Sequence, residues 1–151
     1  MKILVDADSC PVSARIVILK AAARTGIGAV FAANRPIPDL GGGARMELCG
    51  EGPGAADDRL VELACAGDLA ITRDIALAKR LIDRGAAVMD DRGRQFTKEN
   101  VGEAFSIRCF RVALAESGAE IARTANYGKK ELKAFAAGFD KILTALAKKG
   151  L

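Results

Sequence analysis

Acidic side chains follow two short apolar segments of the sequence, in positions suited to binding a cation. Residues 3–5 are a purely apolar run typical of a buried strand, and Asp6 and Asp8 come directly after it. Residues 69–72 form a second such run, which Asp74 follows at the start of another helical segment. The carboxyl ends of parallel strands form the edge where ligands bind in open α/β folds. If these two strands are neighbours, the carboxylates converge in one cleft.

Asp57 is a third candidate, because it opens the helix predicted for residues 55–66, between the two strands. Clustered carboxylates repel one another, and a hard divalent cation such as Mg²⁺ or Mn²⁺ relieves that repulsion. Such an ion polarises a phosphoryl group and lowers the pKa of an attacking water molecule. Asp8 is a candidate for orienting that water or binding a second ion. The alternative for each acid is a turn former or a helix cap.

The composition narrows the chemistry that is available to the chain. The 151 residues include no histidine, which excludes Ser-His and Cys-His nucleophiles, histidine acid–base catalysis and histidine-ligated zinc. The four cysteines are far apart and lack paired metal-ligand spacing, so we expect reduced thiols. Cys10 precedes a predicted helix, whose N-terminus would lower the pKa of the thiol; the alternative is a small core residue.

The charge and hydropathy of the chain indicate its partners and its location. The net charge of +4 favours a polyanionic partner such as nucleic acid. The polar face of the helix predicted for residues 129–148 is rich in lysine, and is either a solvated face or a contact for a nucleic-acid backbone. No apolar run is long enough to span a bilayer, and the N-terminus lacks the features of a signal peptide. We therefore expect a cytoplasmic protein without a membrane partner.

Alternating strands and helices would position the acids. The remaining predicted strands are residues 29–33, 46–49 and 86–89, and the remaining predicted helices are residues 12–24, 75–84, 98–105 and 107–117. Val12, Ile16 and Leu19 form the expected apolar stripe of the first helix. Such a strand–helix–strand unit has parallel strands, so the fold class is α/β. We expect one domain over residues 1–151, with a helical part from about residue 98.

Other polar residues could contact a ligand at the same edge of the sheet. Asn34 closes the strand predicted for residues 29–33, where it would orient a ligand or favour a turn. Five arginines are candidate phosphate contacts or solvated charges: Arg15, Arg35, Arg73, Arg92 and Arg108. Residues 41–43 are a glycine run, which is either a phosphate cradle or a flexible loop.

Several motifs resemble those of one bacterial family. They are VDADSCPV, AAN, AADDRLVELACAGDLAITRDIALA and DDRGRQFTKENV, and together they span nearly the whole chain. They are similar to the family known as DUF188 or UPF0178, of the YaiI/YqxD type, which is grouped with PIN-like domains. The resemblance implies a three-layer α/β/α sandwich with a central, mainly parallel sheet. PIN domains are metal-dependent nucleases that use a cluster of acids, so it also implies a metal-dependent nuclease.

The resemblance assigns roles to individual residues. It implies that Asp6, Asp57 and Asp74 are the metal ligands, that Asp8 belongs to the family's acidic signature, and that Thr72 is a small hydroxyl residue near the site. The sequence departs from the family pattern in two places. Gly54 stands where the family often has an aspartate, and residues 122–124 replace a GGP stretch.

These observations predict a nuclease that hydrolyses phosphodiesters, RNA first of all, with Mg²⁺ or Mn²⁺ as cofactor. Asp6, Asp8, Asp57 and Asp74 would be catalytic. The predicted substrate contacts are Asn34, Thr72 and Arg73.

Two alternatives remain open at this point. One is a non-catalytic PIN-like domain that binds nucleic acid or a protein. The other is a haloacid-dehalogenase-like phosphotransferase with Asp6 as nucleophile, in which Arg73 or Lys79 would have to steady the phosphoryl group.

Overall fold

A six-stranded sheet lies between two layers of helices in the computed structural model of the chain. The structure describes residues 1–38, 40, 44–50, 52–118 and 126–150. Its strands are β1 (Lys2–Asp6), β2 (Gly28–Ala33), β3 (Ala44–Leu48), β4 (Leu69–Ile71), β5 (Ala87–Met89) and β6 (Gln95–Phe96). Its helices are α1 (Val12–Thr25), α2 (Ala55–Leu63), α3 (Ile75–Asp83), α4 (Lys98–Glu116) and α5 (Lys129–Lys149).

The order of the strands places the acidic turns side by side. The sheet has the order β3-β2-β1-β4-β5-β6, with parallel pairing from β3 to β5 and an antiparallel β6. Val5 of β1 pairs with Ile71 of β4, so the carboxyl ends of these two strands are adjacent. The predicted three-layer α/β/α architecture with a mainly parallel sheet is confirmed.

Each face of the sheet has its own apolar core, because successive side chains of a strand point to opposite faces. Ile3 and Val5 face α1 and α5, whereas Leu4 faces α2, α3 and α4. Phe135 and Phe139 stack in the first core with their ring centroids 5.4 Å apart. Both rings are buried residues of α5.

The buried face of α1 differs from the predicted one. Val12 is 62 % exposed and Ile16 is 47 % exposed, although both belong to the predicted apolar stripe. The buried residues of the helix are instead Ala14, Ile18, Ala21 and Ala22. Alanines let α1 lie close to the sheet and to α5, and this packing outweighs the larger apolar area of the other face.

Two further predictions about local structure are wrong. The helices predicted for residues 98–105 and 107–117 are the single helix α4, in which the Ser106 hydroxyl donates to the Gly102 carbonyl without breaking the helix. The antiparallel strand β6, which pairs with β5, is absent from the strands predicted from the sequence. The glycine run at residues 41–43 and the segment at residues 122–124 lie outside the described residues.

None of the helices in the described part of the chain combines the length and the apolar character needed to cross a bilayer.

Candidate functional site

An open cleft of about 450 Å³ lies at the carboxyl edge of the sheet, where β1, β2 and β4 end and α2 and α3 begin. It contains the four predicted catalytic acids together with Asn34 and Arg73. The residues that line it are Asp6, Asp8, Ser9, Asn34, Gly54, Ala56, Asp57, Arg73, Asp74 and Arg108. The parallel pairing of β1 with β4 is what brings these distant parts of the sequence together.

Asp6 is the most deeply placed acid of the cleft. Its Oδ2 accepts hydrogen bonds from Thr72 Oγ1 at 2.8 Å and from Ser9 Oγ at 3.1 Å. Burial raises the pKa of Asp6, these two hydrogen bonds oppose the rise, and the charges of Asp8 and Asp74 add to it. Among the described residues, none donates a hydrogen bond to Oδ1, which leaves that oxygen available to a ligand.

Asp74 has a structural role and a second, unused oxygen. Its Oδ1 caps α3 by accepting from the backbone N–H groups of Ala76 at 2.9 Å and Leu77 at 3.3 Å. The same oxygen accepts from Arg108 Nη1 at 3.2 Å. Within the described part of the chain, no group donates to Oδ2. Capping therefore orients the carboxylate without occupying both of its oxygens.

Thr72 lies beneath the cleft and connects the two acids. The residue is 2 % exposed and is absent from the lining of the cleft. Its hydroxyl donates to Asp6 and accepts from the backbone N–H of Asp74 at 3.0 Å. The structure thus places Thr72 where it fixes the carboxylates rather than on the surface that a substrate would contact.

Asp57 reaches the cleft from the first turn of α2. Partial burial raises its pKa, and the charges of Asp6 and Asp74 raise it further. No hydrogen-bond donor to its carboxylate is found in the described residues. The adjacent Asp58 behaves differently, because it pairs with Arg80 at 2.9 Å on the exposed side of the helix. Two neighbouring acids of one helical turn therefore have separate environments.

The remaining predicted contacts line the mouth of the cleft. Asp8 Oδ2 accepts from the backbone N–H of Asn34 at 3.0 Å, which ties the turn after β1 to the end of β2. Gly54 precedes α2 with φ of 73°, a left-handed conformation that glycine adopts readily. The residue at the position of the family's additional aspartate thus contributes backbone, not a carboxylate.

The chemistry of these oxygens suits a hard divalent cation, because all belong to carboxylates. Burial raises the pKa of Asp6 and Asp57, and repulsion between the acids raises it further, which a bound cation would offset. The arrangement is open: in the described residues, no three acidic or cysteine side chains are grouped as a metal site would group them. The residues that could hold an ion are Asp6, Asp57 and Asp74, through the carboxylate oxygens that accept no hydrogen bond from a described residue.

Two arginines give the cleft a positive side. Arg108 of α4 pairs with Asp74, and Arg73 Nε donates to Asp91, at the turn after β5. Asp91 was not identified from the sequence as a site residue. In the sequence, Asp91 is marked only by its place in the segment DDRG, directly after a predicted strand. Its contact with Arg73 arises because β5 lies beside β4 in the sheet.

Cys10 is a small core residue, which is one of the two interpretations that the sequence allowed. The thiol is buried beside α1, and burial, together with the charge of Asp91, raises its pKa to about 12. The predicted lowering by the helix N-terminus is wrong, because the loss of solvation outweighs the helix dipole. A neutral, buried thiol is a core residue and not a nucleophile.

Comparison with known proteins gives the family of the chain. Residues 4–145 match the DUF188 family, described as "Uncharacterized BCR, YaiI/YqxD family". A UPF0178 protein of Treponema denticola is 44% identical over 148 residues, which cover 98% of this chain and 95% of that protein. The corresponding protein of Pseudomonas entomophila is 41% identical over 149 residues, covering 98% of this chain and 99% of the relative.

A third relative, the UPF0178 protein of Myxococcus xanthus, is 41% identical over 150 residues, covering 98% of this chain and 97% of that protein. No solved structure matches the chain significantly. The family match and the near-complete coverage agree with the motifs found in the sequence. The chain belongs to the DUF188 (UPF0178, YaiI/YqxD) family.

Proposed function

We propose that the chain is a metal-dependent phosphodiesterase that cleaves nucleic acid, with RNA as the favoured substrate. The supporting observation is the cleft itself. Asp6, Asp57 and Asp74 come from three different elements and line one cavity. Burial raises the pKa of Asp6 and of Asp57, and the charges of other acids of the cleft add to that rise. Acids in such proximity repel one another, and a bound cation offsets that repulsion.

Each residue of the cleft has a role in this proposal. Asp6, Asp57 and Asp74 hold the cation, and Asp8 orients water. Bound Mg²⁺ or Mn²⁺ would supply charge stabilisation for a phosphoryl group and a water of lowered pKa. Arg73 binds the phosphate oxygens, and Asn34 is a further contact for the substrate at the lining of the cleft. No step requires a histidine, which the sequence lacks.

A cleavage assay with matched variants tests the proposal. Wild type is incubated with a 5′-labelled single-stranded RNA and Mn²⁺, alongside Asp57→Asn and Asp58→Asn. The Asp57→Asn change removes a ligand and is expected to lower the cleavage rate by about 100-fold or more, because even the loss of a residue that only orients a metal ligand costs about 10- to 100-fold. Asp58 pairs outside the cleft with Arg80, so its variant retains wild-type activity. Equal activity of the three proteins contradicts the assignment.

The second candidate function is a non-catalytic domain that binds RNA. The open arrangement of the acids, without a preformed group of three ligands among the described residues, favours it. The lysines of α5 provide a basic surface for a phosphate backbone. This function predicts salt-sensitive RNA binding with no Mn²⁺ binding in calorimetry, whereas the nuclease requires Mn²⁺ binding that Asp57→Asn weakens.

The phosphotransferase alternative has less support. It needs a lysine beside the phosphoryl group, and the described lining of the cleft contains none. Lys79, one of the two candidates, lies 5.4 Å from the centroid of the Phe105 ring. Arg73, the other candidate, lines the cleft, so this alternative needs an arginine to take the place of that lysine. Failure to trap a phosphoryl group on Asp6 would exclude this activity.

A further inference from the structure

A half-buried ion pair joins Arg73, which lines the cleft, to Asp91, which lies beneath the surface. Asp91 is 2 % exposed, and its Oδ2 accepts from Arg73 Nε. Its backbone carbonyl accepts from the Tyr127 hydroxyl at 2.6 Å, which fixes the turn after β5. Burial raises the pKa of Asp91, and the hydrogen bond and charge of Arg73 oppose that rise.

Burial of the Asp91 carboxylate in this ion pair costs solvation free energy. Burying a carboxylate loses solvation that a single ion pair seldom restores, and an apolar pair of similar size is often as stable. The second oxygen of Asp91, Oδ1, is also buried and has no hydrogen-bond partner in the described part of the chain. An unsatisfied, buried polar atom on the partner of a residue that lines the cleft points to a role that the stability of the fold does not explain.

The geometry of Arg73 indicates what that role is. Asp91 is the hydrogen-bond partner of the side chain among the described residues, and it takes only the Nε–H group. The two Nη groups remain, on a side chain that is 43 % exposed and lines the cleft. A guanidinium presents its Nη groups as a planar fork, which binds two oxygens of one phosphate.

We propose that Asp91 is a positioning residue. It accepts the hydrogen bond from Arg73 Nε and thereby directs the two Nη groups of the guanidinium to a phosphate group of the substrate in the cleft. This inference rests on the proposed function for its substrate, a phosphodiester. The four acids of the cleft would repel such a group, so a cation held by its own buried counter-ion is needed at a fixed place. Without Asp91, Arg73 would be free to pair with the acids of the cleft instead.

Kinetics of a double-mutant cycle test this role. Arg73→Gln is expected to lower kcat/KM for RNA cleavage about 10- to 100-fold, the value of one charge-assisted contact. Asp91→Asn is expected to cause a smaller loss that disappears in the Arg73→Gln background, because it acts through that residue. Arg73→Lys should resemble Arg73→Gln, since one ammonium group cannot serve both partners. Arg80→Gln, at an ion pair outside the cleft, is the matched control.

A binding experiment keeps the test independent of catalysis. In wild type with Mg²⁺, inorganic phosphate is expected to shift the Arg73 Nε–H signal in ¹⁵N–¹H spectra. In Asp91→Asn the signal should change position before phosphate is added, and phosphate should then bind about tenfold more weakly. Thermal unfolding shows which variants fold. The check matters most for Asp91→Asn, because this substitution changes a buried side chain. If it does not fold, Arg73→Lys and Arg73→Gln carry the phosphate titration.

The outcomes separate this inference from the proposed function. If RNA is cleaved but the Arg73 and Asp91 substitutions have additive effects, the positioning role is wrong and the nuclease stands. If no RNA is cleaved but phosphate shifts the Arg73 signal in wild type and binds weakly to the variants, the nuclease is wrong and the role of Asp91 in anion binding stands. Phosphate binding that is equal in wild type and in Arg73→Gln overturns the inference.

Discussion

Substitution of Asp74 separates its role in capping α3 from its proposed role as a metal ligand. Replacement by alanine removes both, whereas replacement by serine keeps a good N-cap and removes the carboxylate. The cap comprises two accepted backbone N–H groups, at 2.9 and 3.3 Å, and its loss costs about 1 kcal/mol. Both variants lose the exposed Arg108 pair and the repulsion from Asp6 and Asp57, so these effects cancel between them.

Thermal unfolding and calorimetry measure the two roles in the same proteins. Asp74→Ala should unfold at a temperature about 2–4 °C below that of Asp74→Ser, the shift expected for 1 kcal/mol in a chain of this size. Both variants should bind Mn²⁺ with at least about 100-fold lower affinity than wild type, because serine offers no carboxylate. Stability and metal affinity therefore change independently.

Two results would refute this reasoning. Wild-type Mn²⁺ affinity in Asp74→Ser would mean that Asp74 is a helix cap alone. Equal stability of the serine and alanine variants would mean that the hydrogen bonds at the start of α3 do not stabilise the fold.

Three further predictions concern pH, thiol reactivity and packing. The pKa values of Asp6 and Asp57 are raised, so these carboxylates take up protons at a higher pH than an ordinary aspartate does. Calorimetry should therefore show that the affinity for Mn²⁺ begins to fall at that higher pH on acidification. An affinity that is unchanged down to about pH 4 would contradict this prediction. With a pKa of about 12, Cys10 should resist a maleimide at pH 8 in the folded protein while the exposed Cys109 reacts, as mass spectrometry would show. Gly93→Ala should lower the unfolding temperature by several degrees, because φ is 87° and the new Cβ would lie 2.5 Å from a backbone oxygen of α5. A variant as stable as wild type would contradict the close packing of this turn on α5.

The acids of the cleft could be located from the sequence because their signals are local. A short apolar run followed by an acid marks the end of a strand, and parallel pairing then brings two such ends to one edge. Asp6 and Asp74 follow from this rule, and Asp57 from its place in the first turn of a helix. Their common cleft required only that β1 and β4 be neighbours, which the sheet order satisfies.

Other features depend on packing between distant segments. The buried face of α1 is its alanine-rich side, which a scale of side-chain hydrophobicity ranks below the face containing Val12 and Ile16. The contact between Arg73 and Asp91 joins residues 18 apart through the pairing of β4 with β5. The continuity of α4 past Ser106 likewise leaves no local signal, because serine is neither a strong helix former nor a strong breaker.

A crystal structure of the chain soaked in Mn²⁺ tests the central claim most directly, since anomalous scattering locates the ion without reference to activity. We predict an anomalous peak in the cleft with oxygens of Asp6, Asp57 and Asp74 about 2.1 Å from it, the distance typical of small hard divalent cations. An empty cleft at saturating Mn²⁺, with these three carboxylates still apart, would contradict the account.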